Sequence, residues 1–231
     1  ESPMFTLMLT KLLNLVLPTR SYLEVETKKM SLKDKINVET IQEVFERKGY
    51  RFFAKGKYNL NLLGVRKNTS VSNKFDDYLV AVYKNEDDEW QCLVWEATTD
   101  PGKHWLENPL SPKGTAILIP DQYRGTWKIG LHRGKYKALC QSKNVKVWRD
   151  NDKDDELDFL CEDSQEGIFG INIHRSNPYT ESQRVDRWSA GCQVFKKAKD
   201  YAVFMGLCDR ASHMYGNSFT YTLLEEQDFD G

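Results

Sequence analysis

His174 and Cys192 are the residues of this chain whose types and spacing could act together as a base and a nucleophile. They sit in the stretch GINIHRSNPYTESQRVDRWSAGCQVF, from Gly170 to Phe195. An apolar, β-prone run (Ile168, Phe169, Ile171, Ile173) delivers His174, 14 residues of polar loop follow, and Ser189-Ala190-Gly191-Cys192 opens a new apolar segment. A free cysteine, with a pKa of about 8.5, is only a few per cent thiolate at neutral pH, so a nucleophilic one needs an imidazole or a helix N-terminus to stabilise the anion. The segment from Phe195 to Met205 reads as a helix, so both are expected to serve Cys192 and hold its pKa low. Gly191 permits a tight turn whose N–H groups can face a developing oxyanion. The same residues admit a plainer reading, in which a lone Cys beside Gly is a small buried side chain.

His174, fourteen residues and then Ser-Ala-Gly-Cys resembles the signature of the L,D-transpeptidase catalytic domain (YkuD-like) family. The resemblance implies a mainly β catalytic domain acting on peptidoglycan stem peptides. Carried over residue by residue, Cys192 is the nucleophile, His174 the general base, and Ser189 and Gly191 form the turn that shapes the oxyanion pocket. The carbonyl of the residue after the first His, here Arg175, is expected to orient the ring. The sequence departs from the family at two places. Ala190 stands where the family has a second His, and Gln193 and Val194 stand where it tends to carry an Arg. Arg175, Arg184 or Arg187 of the loop could supply that charge. Ala97–Gly102, Ile129-Gly-Leu-His132, Trp148-Arg-Asp150 and the Gly170–Val194 stretch are together similar to a pattern in uncharacterised phage and bacterial proteins. That wider resemblance covers roughly residues 60–200 and implies that His132 and Asp100 line the groove beside Cys192. Taken alone, Thr98–Gly102 is a good β-turn, with Pro and Gly following Asp.

The loop between the two reactive residues carries Arg175, Tyr179, Arg184, Arg187 and Trp188. Such a loop reads as a lid or a substrate wall, and planar Arg side chains suit the free carboxylates of a stem peptide. The first expectation is therefore cysteine acyl transfer on cell-wall peptide, ending in a cross-link or in hydrolysis. The alternative is a non-catalytic phage virion or wall-binding protein that keeps the scaffold. Either places the chain at a cell envelope or periplasm or in a phage virion, with a virion or envelope partner there, and manufacture in the cytoplasm without a clear signal peptide stays open. A papain-like protease is disfavoured, because there the Cys precedes the His and opens a long helix.

The rest of the chain offers no rival chemistry. At 231 residues, 40% hydrophobic and 12% aromatic, it has material for one sizeable core. A net charge of −1 lacks the basic excess of general nucleic-acid binders. Five cysteines (Cys92, Cys140, Cys161, Cys192, Cys208), an odd number without a C-x-x-C pair, read as reduced thiols, and four scattered histidines suggest no metal site. No cofactor motif is present. The acidic run Asp150–Glu156 alternates carboxylates as a calcium loop does, yet lacks Gly at the sixth position and has Cys161 at the twelfth, so it reads as a solvated loop.

These residues need elements to position them. Met4–Leu17 is the one strongly apolar run; at fourteen residues it is too short to span a bilayer, and it reads as a packing helix, an anchor or leader material, with Glu1 leaving open a cut start. Lys28–Lys35 reads as a linker, closing an N-terminal piece of residues 1–35. A helix is expected over 37–49, capped by Asn37, apolar at Ile41, Val44 and Phe45, and ended by Gly49. Leu79–Tyr83 and Trp90–Trp95 flank an acidic turn and read as a hairpin. Further strands are expected at 115–119, 126–131, 136–139, 145–148 and 219–224. The expected fold is one mainly β domain over 36–225, a twisted sandwich or open barrel with a few short helices, followed by a disordered acidic tail at 226–231.

Overall fold

A computed structural model describes residues 30–159 and 164–230. The apolar run Met4–Leu17 and Cys161 lie outside the described residues. The described residues from Ser31 onward form one compact unit. Its elements, in chain order, are α1 (Leu32–Lys35), α2 (Val38–Lys48), β1 (Asn61–Arg66), β2 (Asp77–Lys84), β3 (Trp90–Thr98), α3 (Lys103–Glu107), β4 (Thr115–Leu118), β5 (Gln122–His132), β6 (Tyr136–Gln141), β7 (Val145–Asp150), β8 (Gln165–Gly167), β9 (Ile173–Arg175), β10 (Gln193–Phe195), α4 (Ala198–Tyr215) and β11 (Phe219–Glu225), with a final 3₁₀ turn at Glu226–Phe229. The fold is mainly β, as expected, and its helices are few, although α4 runs for 18 residues.

Eight strands close into a barrel in the order β1-β11-β5-β6-β9-β10-β3-β2, and β4-β7-β8 make a separate antiparallel sheet. The barrel is closed rather than open because β1 pairs with both β2 and β11. Two of its joints are parallel, β1 with β11 and β9 with β10. The expected hairpin is β2–β3, in register from Asp77 with Ala97 to Lys84 with Trp90. Its turn is held by Asn85 Oδ1, which accepts from the N–H groups of Asp87 and Glu89.

Strand alternation places two apolar layers on β1 and β2. Leu62, Leu79, Ala81 and Tyr83 face the barrel interior with Trp127, Tyr221 and Phe195, and α4 caps that core through Tyr201, Phe204 and Cys208. Leu63, Val65, Val80 and Val82 face outward and are covered by Ile41, Val44 and Phe45 of α2. The helix is bounded as its sequence dictates. Asn37 Oδ1 accepts from Thr40 N at 3.0 Å, Thr40 Oγ1 accepts from Asn37 N at 3.2 Å, and Gly49 takes a φ of 69°.

Three expectations on the described residues need correction. Ser31–Lys35, read as linker, is a helical turn whose Ser31 cap accepts from Asp34 N. The C-terminal segment read as a disordered tail instead buries Phe229 against the layer under α2. An apolar residue inside an acidic run gave the segment something to bury. The helix expected from Phe195 begins only at Ala198, because Gln193–Phe195 is drawn into the barrel between β3 and β9. Among the described residues no helix is long and apolar enough to cross a membrane.

The barrel wall also buries a charge cluster. Arg66, 2% exposed, donates from Nη1 to Leu118 O at 2.9 Å and from Nη2 to Thr99 O at 3.1 Å, and its Nε lies 2.7 Å from Asp100 Oδ1. Asp77 accepts from Lys67 N, Thr99 N and Thr99 Oγ1. Burial, then the Asp100 charge, pushes Asp77 up to about 8. A carboxyl whose folded pKa lies above its unfolded value stabilises the protein below the unfolded pKa and loses that contribution as pH rises to the folded one. Stability should therefore fall, on account of this group, as pH rises from the ordinary carboxylate range towards 8. Because the buried histidines act in the opposite sense near pH 6.5, the readout is the difference between wild type and Asp77→Asn: the urea midpoint of the wild type should fall relative to that of the variant between pH 6.5 and 8. A difference that stays constant over that span would contradict the assignment.

Candidate active site

Two three-residue strands set the site. β9 and β10 run parallel, with Ile173 opposite Gln193 and His174 opposite Val194. Side chains alternate along a strand, so Cys192, one residue before β10, shares the His174–Val194 face. Cys192 packs against the cluster of Phe75, Val185 and Val194 and is half-buried.

The turn before Cys192 is built by its own side chain. Ser189 Oγ donates to Cys192 O at 2.7 Å and accepts from Gly191 N at 3.2 Å, while Ser189 O accepts from Gly102 N at 2.9 Å. Gly191 has a φ of 111°, and a Cβ there would collide with Ala116 O of β4. Gln193 N donates to Asn172 O at 2.9 Å. The Cys192 N–H is thus a donor of this turn left for an oxyanion, and the Gly191 N–H is already used.

His174, 2% exposed, is held by Nδ1, which lies 2.8 Å from Arg175 O and 3.1 Å from Tyr136 Oη. A carbonyl can only accept, so Nδ1 carries the proton and Nε2 a bare lone pair. That buried Nε2 has no hydrogen-bond partner. His132, from the end of β5, stacks on His174 with ring centroids 4.0 Å apart and planes 26° apart. Its Nδ1 lies 3.1 Å from Asn172 Nδ2. Asn172 Oδ1 accepts from Gln141 N, which fixes the amide so that Nδ2 donates and His132 Nδ1 accepts. The two stacked imidazoles are therefore opposite tautomers.

Both rings are neutral at physiological pH. Burial, and then the facing His132, pushes His174 down to about 3; burial, with Arg133 and Arg175 nearby, pushes His132 down to about 4. Burial pushes the Cys192 thiol up to about 11. The expected low-pKa thiolate is thus corrected. Cys192 leads into a strand rather than a helix N-terminus, and its Sγ donates to Gly170 O at 3.5 Å, a contact that favours the thiol form. No hydrogen bond joins Sγ to His174. The resting pair is a thiol and a neutral imidazole.

The other expected residues divide into those near the thiol and those away from it. Arg175 stays beside His174, its guanidinium 4.2 Å from the centre of the Tyr136 ring and Nη1 donating to Ser176 O. Arg184 and Arg187 are exposed and make no ion pair among the described residues, and Trp188 is 39% exposed. Their loop is fastened at Ser176 to Lys196 O, at buried Val185 and at Trp105 Nε1, which donates to Arg187 O. It forms a wall rather than a free lid. Asp100 does not line the groove: it is buried on Arg66, one hydrogen-bonded step behind Gln193, whose Nε2 donates to Thr99 O.

Sequence reasoning missed Tyr136, Asn172 and Arg149. Arg149, Ala190, Ala116, Thr115 and Phe169 line a pocket of about 170 Å³ beside the Cys192 turn. Arg149 donates to Gln165 Oε1 and Gly114 O and lies 4.8 Å from the centre of the Phe169 ring, with no carboxylate in ion-pair contact among the described residues. Only Trp148-Arg-Asp150, within the wider resemblance, pointed there. No family model, no curated protein and no solved structure matches the chain.

Two outcomes follow from this geometry. Nitrogen-15 spectra of the histidine rings should show His174 as the Nδ1–H and His132 as the Nε2–H tautomer, both neutral at pH 6; an imidazolium at either would overturn the assignment. Gly191→Ala should destabilise by about 1–3 kcal/mol or more, from the left-handed backbone and the clash with Ala116 O. A denaturation midpoint equal to wild type would show that the turn is looser than described.

Proposed function

We propose that the protein carries out cysteine-dependent acyl transfer on peptidoglycan stem peptides in the manner of the L,D-transpeptidase family, by cross-linking or by hydrolysis. The observation that carries the reading is the buried His174 Nε2, a lone pair with no partner on the strand beside Cys192. A histidine oriented through Nδ1 by a backbone carbonyl is set to take a proton at Nε2. Cys192 Sγ attacks the peptide carbonyl carbon as its proton passes to Nε2, and the new oxyanion meets the Cys192 N–H. The tetrahedral adduct collapses, the C–N bond breaks, and the amine leaves with the proton from Nε2. The resulting thioester is resolved by an amine, giving a cross-link, or by water, giving hydrolysis. Arg149 in the pocket beside Ala190 supplies a cation for a free carboxylate of the peptide.

The pKa values order the first step. With the thiol raised to about 11 and the imidazole lowered to about 3, a preformed ion pair is disfavoured, so proton transfer accompanies C–S bond formation. One observation favours the second reading, a wall-binding or virion protein without turnover: Sγ donates to Gly170 O and not to His174.

Incubation of the protein and of Cys192→Ala with purified peptidoglycan, followed by mass spectrometry of the muropeptides, separates the two. Shortened or newly cross-linked stem peptides from the wild type alone are expected; identical products from both samples would leave the binding reading. Where turnover is seen, kcat/KM should stay flat between about pH 5.5 and 9, because both reacting groups are neutral throughout that range. A bell-shaped profile centred near neutrality would instead require a thiolate–imidazolium pair.

A further inference from the structure

Asp150 ends β7, opposite Thr115 of β4, and its side chain is fully buried at 0% exposure. Its Oδ2 accepts from Asp158 N at 3.1 Å, which brings the acidic loop back over the strand end. Its Oδ1 is buried and has no hydrogen-bond partner, and no Lys or Arg pairs with Asp150 among the described residues. The exposed carboxylates of Asp152 and Asp158 each place an oxygen within 4.8 Å of Asp150 and of one another. The sequence reading of a wholly solvated loop therefore fails at its first residue.

Burying a carboxylate with an empty lone pair and turning two further acids toward it is costly unless a cation occupies the space. Two of the nearby positive groups are directed elsewhere. Lys103 is bonded to Asp155, and Arg149 donates to Gln165 and Gly114.

We propose that the Asp150, Asp152 and Asp158 carboxylates form a calcium site at the β7 end. The donors are hard oxygens with no nitrogen or sulfur among them, which suits calcium or magnesium and not zinc. Oxygens within 4.8 Å of one another can share one ion at Ca–O bonds of roughly 2.3–2.6 Å, and three protein carboxylates suit calcium better than magnesium, which keeps several of its waters and takes only one or two carboxylates. The exposed side of the cluster leaves room for water to complete 6–8 ligands. The bound ion ties the 150–158 loop to the β4–β7 pair, and β4 is the strand on which Gly191 rests. The site stands independently of the Cys192 chemistry.

The test uses the full chain and terbium as the probe, excited through Trp148, two residues from Asp150. A saturable luminescence signal is expected, displaced by calcium at a concentration at least tenfold lower than by magnesium. Calcium at 1 mM, roughly the range of extracellular calcium modules, should raise the melting temperature of the wild type. Asp152→Asn and Asp158→Asn, both at exposed positions, should keep the calcium-free melting temperature and weaken terbium binding at least tenfold; Asp150→Asn should abolish it. No saturable signal, an unchanged signal in the Asp152 and Asp158 variants, or magnesium displacing as well as calcium would each overturn the calcium assignment.

Discussion

The parallel pairing of β9 with β10 is the constraint on which the rest of this structure depends. Each strand has three residues, too few to hold a barrel wall by ladder hydrogen bonds alone. Side chains from the core supply what the ladder lacks. Trp127, fully buried, donates from Nε1 to Ile171 O at 2.8 Å, which fixes the entry to β9. Tyr221 Oη donates to Gln193 Oε1 at 2.7 Å, and Gln193 Nε2 donates to the carbonyls of Thr99 and Gly191. A buried amide with its donors and acceptor satisfied is an anchor; the same amide left unpaired would cost about 1–3 kcal/mol. The pair that carries His174 and leads out of Cys192 is thus pinned from inside the barrel.

That anchoring explains why the charges behind the site sit where they do. Thr99 O accepts from both Gln193 and Arg66, and Arg66 in turn faces Asp100. The guanidinium is fully desolvated, so it must be matched; Asp100 faces its Nε, and Asp77, held largely protonated, closes the cluster. Asp100 therefore serves the barrel wall. A motif-based reading placed it in the groove because sequence adjacency to a turn does not say which side of the strand end an acid occupies.

What the sequence made legible was local. The ends of α2 were readable because an Asn cap, a Thr three residues on and a terminal Gly act within one turn. The β2–β3 hairpin was readable because an acidic turn separates two apolar runs. β1 was not read: Asn61–Arg66 is buried on both faces, so it lacks the alternation that marks a half-exposed strand. β9 and β10 are too short to show a period at all, and the start of α4 moved to Ala198 because Val194 and Phe195 gain more by pairing than by coiling. At the site, His174 and Cys192 were legible by spacing within one stretch. Tyr136 and Asn172 were not, since they reach the imidazoles across the barrel by tertiary register, and Arg149 comes from the second sheet.

The stacked imidazoles show how one set of contacts can serve both fold and chemistry. Burying two histidines face to face forbids two positive charges, so the pair survives only as neutral rings. Neutrality alone does not choose a tautomer; Arg175 O and the Asn172 amide do, and they choose oppositely for the two rings. His132 has its Nδ1 committed as an acceptor, while His174 keeps an uncommitted lone pair at Nε2. The barrel thereby removes charge from the site and leaves one basic atom in it. The half-buried Cys192 thiol, on the same face, leaves that lone pair unpartnered and donates to Gly170 O instead.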